Sequence, residues 1–419
     1  MKKIIALLLV AVMVLALAAC APAETKPTTG NDGSTSGKVE EIILSVWAPQ
    51  EDQVEGNGWV NQMLKKFEEA HPEYKITWEM GVCSEGDAGG KVSTDPEAAG
   101  DIYFFANDQI GTLTQAGALA QLGGSYKAQV EADNSATLVN TVTTADGKVY
   151  GFPMTNNTWF MYYNTDFFTA EDVKCLDTML EKGKVSFPMS TAWYGGAIFI
   201  GNGGTLFGEK ANDAAAGIQF GGEAGYAAAK KMVEIANHPN FVDDASGAGV
   251  SGLKDGTIGA AFTGSWDKAA LVTALGDKLA AAQPPVVKID GKDVQMKAFA
   301  GSKCVGVNPN CENQKVAMQV AAFLASEASQ LARYEMRGII PAHKALAANE
   351  TIAKDLVAVA EMNTMNNASS AQPIIPEMSV YWDAMGGFGG NVANKIDVTL
   401  DNYKDMVDQL MQRLNDKGI

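Results

Sequence analysis

From residue 42 onward the chain alternates short apolar runs with amphipathic stretches of helical period. That alternation limits it to an α/β fold with mostly parallel sheets. Ile42-Ile43-Leu44-Ser45-Val46-Trp47 reads as a buried strand. Val60, Met63, Leu64 and Phe67 follow at helical spacing, and His71-Pro72 ends that helix. Ile76, Trp78 and Met80 alternate as in a half-buried strand, and Asp101–Ala106 reads as another. Asn107-Asp108 then caps a helix carrying Ile110, Leu113 and Leu119. The middle repeats the alternation, with a helix face at Tyr226, Ala229, Met232, Val233 and Ala236 and a strand over Ile258–Thr263. Val316, Val320, Phe323 and Leu324 mark a further helix. The last helix holds Tyr403, Met406, Val407, Leu410, Met411 and Leu414 on one stripe.

A chain of 419 residues predicts two or three folding units, and 47% hydrophobic residues supply their cores. The formal net charge of −17 repels a phosphate backbone, which argues against nucleic acid as a partner. The N-terminus is organised differently from the body. Met1-Lys2-Lys3 precedes sixteen uncharged apolar residues, Ile4 to Ala19, and Cys20 follows. A basic start, an apolar run too short to span a bilayer and small residues at its end read as a secretory signal, residues 1–19. Leu17-Ala18-Ala19-Cys20 resembles the bacterial lipobox, which implies cleavage before Cys20 and acylation of its thiol. Two or three acyl chains anchor stably where one is marginal. The rest of segment 20–40 is rich in Thr, Ser, Gly, Pro, Asn and Asp, so burial cannot offset its ordering entropy and it reads as a flexible tether. Fully extended, it reaches roughly 65 Å. Cys83, Cys175, Cys304 and Cys311 remain, and an exported context permits disulfides among them in any of three pairings.

Catalytic and cofactor motifs are weak or missing. Gly247-x-Gly249-x-x-Gly252 matches a dinucleotide pattern but follows no convincing strand, so it reads as loop glycines. Ser265-x-x-Lys268 lacks the companion motifs of the penicillin-binding enzymes. There is no Walker loop, no His-Glu-x-x-His and no Cys-x-x-Cys, and His71, His238 and His343 are isolated. No metal or cofactor is expected. Asp243-Asp244 reads as a solvated turn.

The tryptophans carry more information. Open parallel sheets bind ligands at the carboxyl ends of their strands. Here those ends read Trp47-Ala-Pro-Gln-Glu51-Asp52, Phe105-Ala-Asn-Asp108-Gln109 and Thr263-Gly-Ser-Trp266-Asp267. A sugar ring has an apolar C–H face, on which aromatic rings stack, and a hydroxyl rim, which carboxylates and amides bind. Trp47, Trp193, Trp266 and Trp382 sit in polar or glycine-rich surroundings that suit such stacking, whereas Trp59 and Trp78 fit core patterns.

At these residues the chain resembles the extracellular solute-binding proteins of sugar ABC importers, and among them the maltose/maltodextrin-binding proteins. The similarity spans about Ile42 to Leu414. Asp101–Gly111 resembles the segment that places an acidic residue on a sugar hydroxyl. Gly147–Pro153 with Tyr162-Tyr163-Asn164 resembles the first hinge crossing, and Gly256–Trp266 a strand ending in a stacking tryptophan. Pro373-Ile-Ile-Pro-Glu-Met-Ser-Val-Tyr-Trp382 is the most specific stretch.

The resemblance implies a two-lobe periplasmic-binding-protein-like fold with several chain crossings and an interlobe ligand cleft. Lobe 1 would take residues 41–155 plus 303–345, and lobe 2 residues 156–302 plus 346–419. The chain would cross near Thr155, Ser302 and Lys344. Position by position it implies aromatic platforms at Trp47, Phe105, Trp193, Tyr194, Trp266 and Trp382. Asp108 and Glu51 would be acidic hydroxyl partners, and Asn157 stands where maltose proteins have a hinge glutamate. There are departures. Asp52 and Gln53 replace an expected lysine, Gln109 replaces an arginine, and Gly386-Gly387 appears where an arginine follows the last tryptophan. The aromatic platform is kept while part of the charged shell is lost, which favours longer α-glucans over maltose. The implied role is capture of malto-oligosaccharides for an ABC permease by a monomeric, non-enzymatic lipoprotein on the outer face of the cytoplasmic membrane. The alternatives are a raffinose-type or β-linked oligosaccharide, a secreted glycoside hydrolase using Asp108 and Glu51, or an adhesion protein, for which repeats are missing.

Overall fold

The computed structural model describes residues 39–244 and 247–415. The secretory segment 1–19, Cys20 and the tether as far as residue 38 lie outside the described residues, as do residues 416–419.

The first sheet begins with β1 (Glu40–Ala48), which crosses over through α1 (Trp59–Ala70) to the parallel strand β2 (Tyr74–Val82). After α2 (Ala88–Thr94), β3 (Ile102–Ala106) pairs with the other side of β1, again in parallel, and α3 (Ile110–Gln115) follows. Then β4 (Phe152–Asn157) is separated by only Thr158 and Trp159 from β5 (Phe160–Asn164), which belongs to a second sheet. That sheet is completed by β6 (Val185–Phe187), β7 (Phe241–Asp243), β8 (Ala260–Thr263) and β9 (Leu279–Ala282), in the order β7-β6-β8-β5-β9, with α4 (Gly222–Asn237) leading into β7.

The chain returns through β10 (Ala298–Val307), antiparallel to both β3 and β4. It continues through α5 (Gln314–Leu324), α6 (Glu327–Arg337) and α7 (Leu356–Asn367) to β11 (Ser369–Ala371), which lies parallel to β10. α8 (Ser379–Ala393) and α9 (Tyr403–Leu414) finish it. Each sheet is therefore mixed rather than mostly parallel. In the first sheet β10 runs antiparallel to β3 and β4, and in the second β5 runs antiparallel to β8 and β9. A strand, β7, does precede the Gly247–Gly252 segment, and most of that segment forms the helix Ala248–Asp255.

Two main cores result, one per sheet. Leu44 and Val46 of β1, Trp59 and Phe67 of α1 and Phe104 of β3 meet Val316 and Val320 of α5 in the first. Met161, Phe187 and Phe262 meet Met232 of α4, Phe388 of α8 and Leu410 of α9 in the second. β10 serves both. Its Ala298 and Phe299 lie in the second core, and its Cys304, Val305 and Val307 lie in the first. The chain crosses again after β11, because Ile374 packs in the first core and Met378 in the second. The α/β two-lobe architecture implied by the sequence is thus what the chain adopts. Cys83, Cys175, Cys304 and Cys311 are all free thiols. Among the described residues no helix is long and apolar enough to cross a membrane.

One buried ion cluster fixes the loop after β1. The Arg333 guanidinium of α6 donates to Asp52 Oδ2 at 2.6 Å and to Glu85 Oε1 at 3.2 Å, and Arg337 donates to Asp52 Oδ1 at 2.6 Å. Asp52 is 0% exposed, and the Arg333 guanidinium lies 5.0 Å from the Trp59 ring centre. Burial works to raise the Glu85 carboxyl pKa, but Lys303 and Arg333 prevail and hold it below the usual range. Beside the cluster, the Gln53 amide donates to Ala48 O and Gly81 O, which ties the same loop to the strand ends. Removing one partner strands the others as buried charges. Arg333→Ala is therefore expected to cost about 3–5 kcal/mol, read by urea denaturation. A loss under 1 kcal/mol would mean that water reaches the cluster.

Candidate functional site

A cleft of about 450 Å³ opens where the carboxyl ends of strands from both sheets converge. One wall carries Gly86, Ala106, Asp108 and Gln109, and the other carries Trp193, Trp266 and Trp382. Asn157 and Gln372, from two of the chain crossings, complete the lining. A smaller space of about 180 Å³ adjoins it, sharing Asp108 and Trp382 and running between α3 and Pro373–Ser379.

Asp108 sits in a short 3-10 turn, Asn107–Gln109, that follows β3 directly. Its neighbour Asn107 anchors the turn. Asn107 Oδ1 accepts from Ser302 N at 2.8 Å, and its amide donates to Thr141 O at 3.2 Å. Thr141 and Ser302 also share a hydrogen bond between their hydroxyls at 2.8 Å. Gln109 is committed as well. Its Oε1 accepts from Gly89 N at 2.7 Å, and its Nε2 donates to Gly86 O at 2.6 Å. The residue standing where an arginine was expected therefore braces the start of α2. The Asp108 carboxylate reaches water at the cleft mouth, but the walls crowd it. That crowding raises its pKa above the usual carboxylate range, against a backbone hydrogen bond and the Gln372 side chain, which pull it down.

The tryptophans are each held from behind. Trp266 follows β8 in a turn closed by Thr263 Oγ1 donating to Asp267 Oδ2 at 2.6 Å. Its ring lies across Gly264, where a Cβ would come within 2.0 Å of it, so any larger residue there would displace the ring. Trp266 is 53% exposed, an unusual state for so large an apolar ring. Trp193 lies 5.9 Å from Trp266, with the rings 35° apart. Its indole donates to Gln372 Oε1 at 2.9 Å, and its carbonyl accepts from Trp159 Nε1 at 3.2 Å. Asp243, expected to be a solvated turn, accepts from Ser190 N and Oγ at 3.0 and 2.6 Å and so fixes the segment leading to Trp193. Trp382 stands on the first turns of α8, edge-on to Phe299 at 6.0 Å and to the buried Tyr381 at 5.2 Å.

Asp108, Asn157, Trp193, Trp266 and Trp382 are thus brought together as the sequence implied. Four expected residues lie elsewhere. Phe105 is 0% exposed, in a strand whose five residues are all buried, and its ring packs on Gly151 and Gly306. Trp47 lies flat over Gly81 and Gly100, where a Cβ would meet its ring at 2.3 and 2.8 Å. Glu51 is exposed in the 3-10 turn Gln50–Asp52 and lines no part of the cleft. Tyr194 is buried, stacked on Trp159 at 5.1 Å and edge-on to Trp193 at 5.3 Å, so it backs a platform instead of forming one. Gln372 was missed by the sequence reading, although it immediately precedes the Pro373–Trp382 stretch. The lining has one carboxylate, Asp108. Among the described residues no group of three or more His, Cys, Asp or Glu is placed to hold a metal ion.

Residues 62–359 match the sequence profile of a family described as bacterial extracellular solute-binding protein. Over 402 residues the chain is 28% identical to the galactooligosaccharide-binding protein of Bacillus subtilis (strain 168), spanning 91% of this chain and 90% of that protein. It is 26% identical over 379 residues to a maltooligosaccharide ABC transporter solute-binding lipoprotein of Streptococcus pneumoniae (strain ATCC BAA-255 / R6), with 85% of each chain covered. A solved structure described as being with acarbose superposes with a TM-score of 0.82 at 44% identity, over 89% of this chain and 98% of that one.

The Asn107 anchor makes a direct expectation. Asn107→Ala leaves the buried Ser302 amide without its acceptor and should cost about 1–3 kcal/mol of stability. Thermal unfolding indistinguishable from that of the unaltered protein would show that the turn holds its place without the anchor.

Proposed function

We propose that this chain, which belongs to the bacterial extracellular solute-binding proteins, captures malto-oligosaccharides in the cleft and delivers them to an ABC import permease. The observation that carries this is the convergence of three tryptophan rings and one carboxylate on a single cleft. Rings of Trp193, Trp266 and Trp382 take the C–H faces of successive sugar units, and Asp108 accepts from a hydroxyl. Asn157 and the Gln372 amide supply further polar contacts at the floor. The adjoining space between α3 and Pro373–Ser379 extends the groove, which suits a chain of several units better than a disaccharide. A two-carboxylate hydrolysis needs a second acid across the bond. Glu51 lies outside the lining, which favours binding over catalysis.

Closure of two lobes, residues 41–155 plus 303–345 and residues 156–302 plus 346–419, buries the sugar. The ligand favours the closed form only through its tighter binding to it. Acylation of Cys20 holds the monomeric protein at the outer face of the membrane, and the segment to residue 40 gives it reach. The relative named for malto-oligosaccharides and the structure with acarbose support the choice of ligand. The relative named for galacto-oligosaccharides keeps a second ligand in view.

Calorimetric titration with maltose, maltotriose, maltoheptaose, acarbose, raffinose and a galacto-oligosaccharide decides between them. Tight binding of the malto-oligosaccharides, stronger for the longer chains, is the expected result. Binding of the galacto-oligosaccharide alone would keep the import role and overturn the ligand. Trp382→Ala should weaken the productive sugar by about 1–3 kcal/mol, as expected for a desolvated aromatic anchor. An unchanged affinity would place the site elsewhere. Asp108→Asn should also weaken binding, by loss of a charge-assisted hydrogen bond.

A further inference from the structure

Behind the cleft floor lies a carboxyl group that the binding scheme above does not use. Glu361, on α7, is 1% exposed, and neither of its oxygens has a hydrogen-bond partner among the described residues. A buried carboxylate in that state is costly, so the proton is the natural partner. Its neighbours come from both sides of the cleft. Asn156, on β4, precedes the cleft-lining Asn157, and Ser265 precedes the cleft-lining Trp266. Both side chains approach Glu361 without reaching hydrogen-bond geometry. Burial pushes the carboxyl up to about 7, with Ser265, Asn156 and Lys303 opposing and Asp355 adding to the rise.

The charged and titratable surroundings are few. Lys303 faces the group from β10 and Asp355 from the start of α7, where Asp355 is itself occupied by Lys268 and by the Tyr334 hydroxyl at 2.8 Å. Tyr162 on β5 feels Glu361, Asp355 and Asp267 together, and burial raises its pKa. Lys303 is shared with Glu85, whose carboxyl it also stabilises. Among the described residues no cation therefore serves Glu361 alone.

We infer that Glu361 is a positioning residue for the cleft: its protonated carboxyl is placed to bridge Asn156 of the first sheet and Ser265 beside the second, and sugar binding takes up a proton there. A neutral carboxyl can donate to one neighbour and accept from the other, whereas a carboxylate can only accept. Asn156 stands on β4 of the first sheet and Ser265 in the turn after β8 of the second, so the distance between them changes with the angle between the two sheets. A sugar laid on Trp266 and Asn157 displaces water from the surface over Glu361, which disfavours its charged form further. By linkage, the proton then favours the sugar as much as the sugar favours the proton.

The inference rests on the sugar-binding function proposed above, and one experiment separates the two. Whichever sugar of the panel titrates is measured about one pH unit either side of 7, in two buffers of different ionisation enthalpy, against wild type and Glu361→Gln. Wild type is expected to take up protons on binding and to lose roughly fivefold in affinity from the acid to the alkaline side, the low end of common coupling strengths. Glu361→Gln should bind as wild type does on the acid side, with a flat profile and no uptake. Asp108, His71, His238 and His343 remain in the variant, so only the difference between profiles reports Glu361. Equal slopes and equal uptake would overturn the inference.

If no sugar gives heat at any pH, it is the proposed function that falls. Glu361 is then read in thermal unfolding of the ligand-free protein. The native state holds the extra proton between about 4.5, the ordinary carboxyl value, and about 7. Wild-type stability should therefore fall as pH rises through that window and stay low above it, and Glu361→Gln should escape the fall. Identical profiles for the two proteins would refute the neutral bridge.

Discussion

The fold hangs on one strand. β10 contributes to both cores, and its ladder with β4 pairs Gly301 with Asn157, Ser302 with Asn156 and Lys303 with Thr155. Most of what lines the cleft is positioned from that ladder. Ser302 fixes Asn107 and hence the Asp108 turn. Gln372 is placed by its backbone N–H donating to Ala300 O at 2.9 Å, and from there its side-chain Oε1 accepts from the Trp193 indole. Phe299 backs Trp382. The two walls share one hydrogen-bonded backbone, so a small rotation about it moves the groups that line both together.

How far the sequence foretold this depends on the kind of signal. Periodic elements were legible. The stripe of α9 is buried at Val407, Leu410 and Leu414, and α1 ends at His71 as its Pro72 implied. Tryptophans beside glycine or in polar turns, Trp193 and Trp266, could be read as cleft residues because a core rarely surrounds a ring with such neighbours. Phe105 could not be read. β3 is buried on both faces, so it has no alternation to reveal which way a side chain points. Trp47 failed for a related reason. The glycines that make its bed, Gly81 and Gly100, come from other segments and announce nothing locally. Gln372 and Gln109 carry no charge or ring to draw notice, and their roles exist only through partners distant in sequence.

The departures from the maltose pattern also gain a physical account. Asp52 stands near where a sugar-binding lysine was expected, but the structure spends it on Arg333 and Arg337. Gln53 and Gln109 are likewise consumed by backbone partners. Charged groups that could have faced a sugar have become scaffold, and the exposed capacity of the cleft lies mainly in its rings. A site of that composition discriminates by shape and stacking more than by charge.

The split of each core along the chain governs how the molecule can form. The first core needs Val305 and Val307 of β10 and Val316 and Val320 of α5, yet its opening strands end with β4, and the whole second sheet lies between. A chain emerging from its N-terminus cannot complete that core until residues well past 300 are free. The second core closes no earlier, because it needs Phe388 of α8 and Leu410 of α9. Folding is consequently dominated by late, long-range pairing, which is slow and leaves apolar edges open to other chains in the meantime. Such a protein gains from being kept unfolded until it is whole, because both cores close only with segments from the last third of the chain.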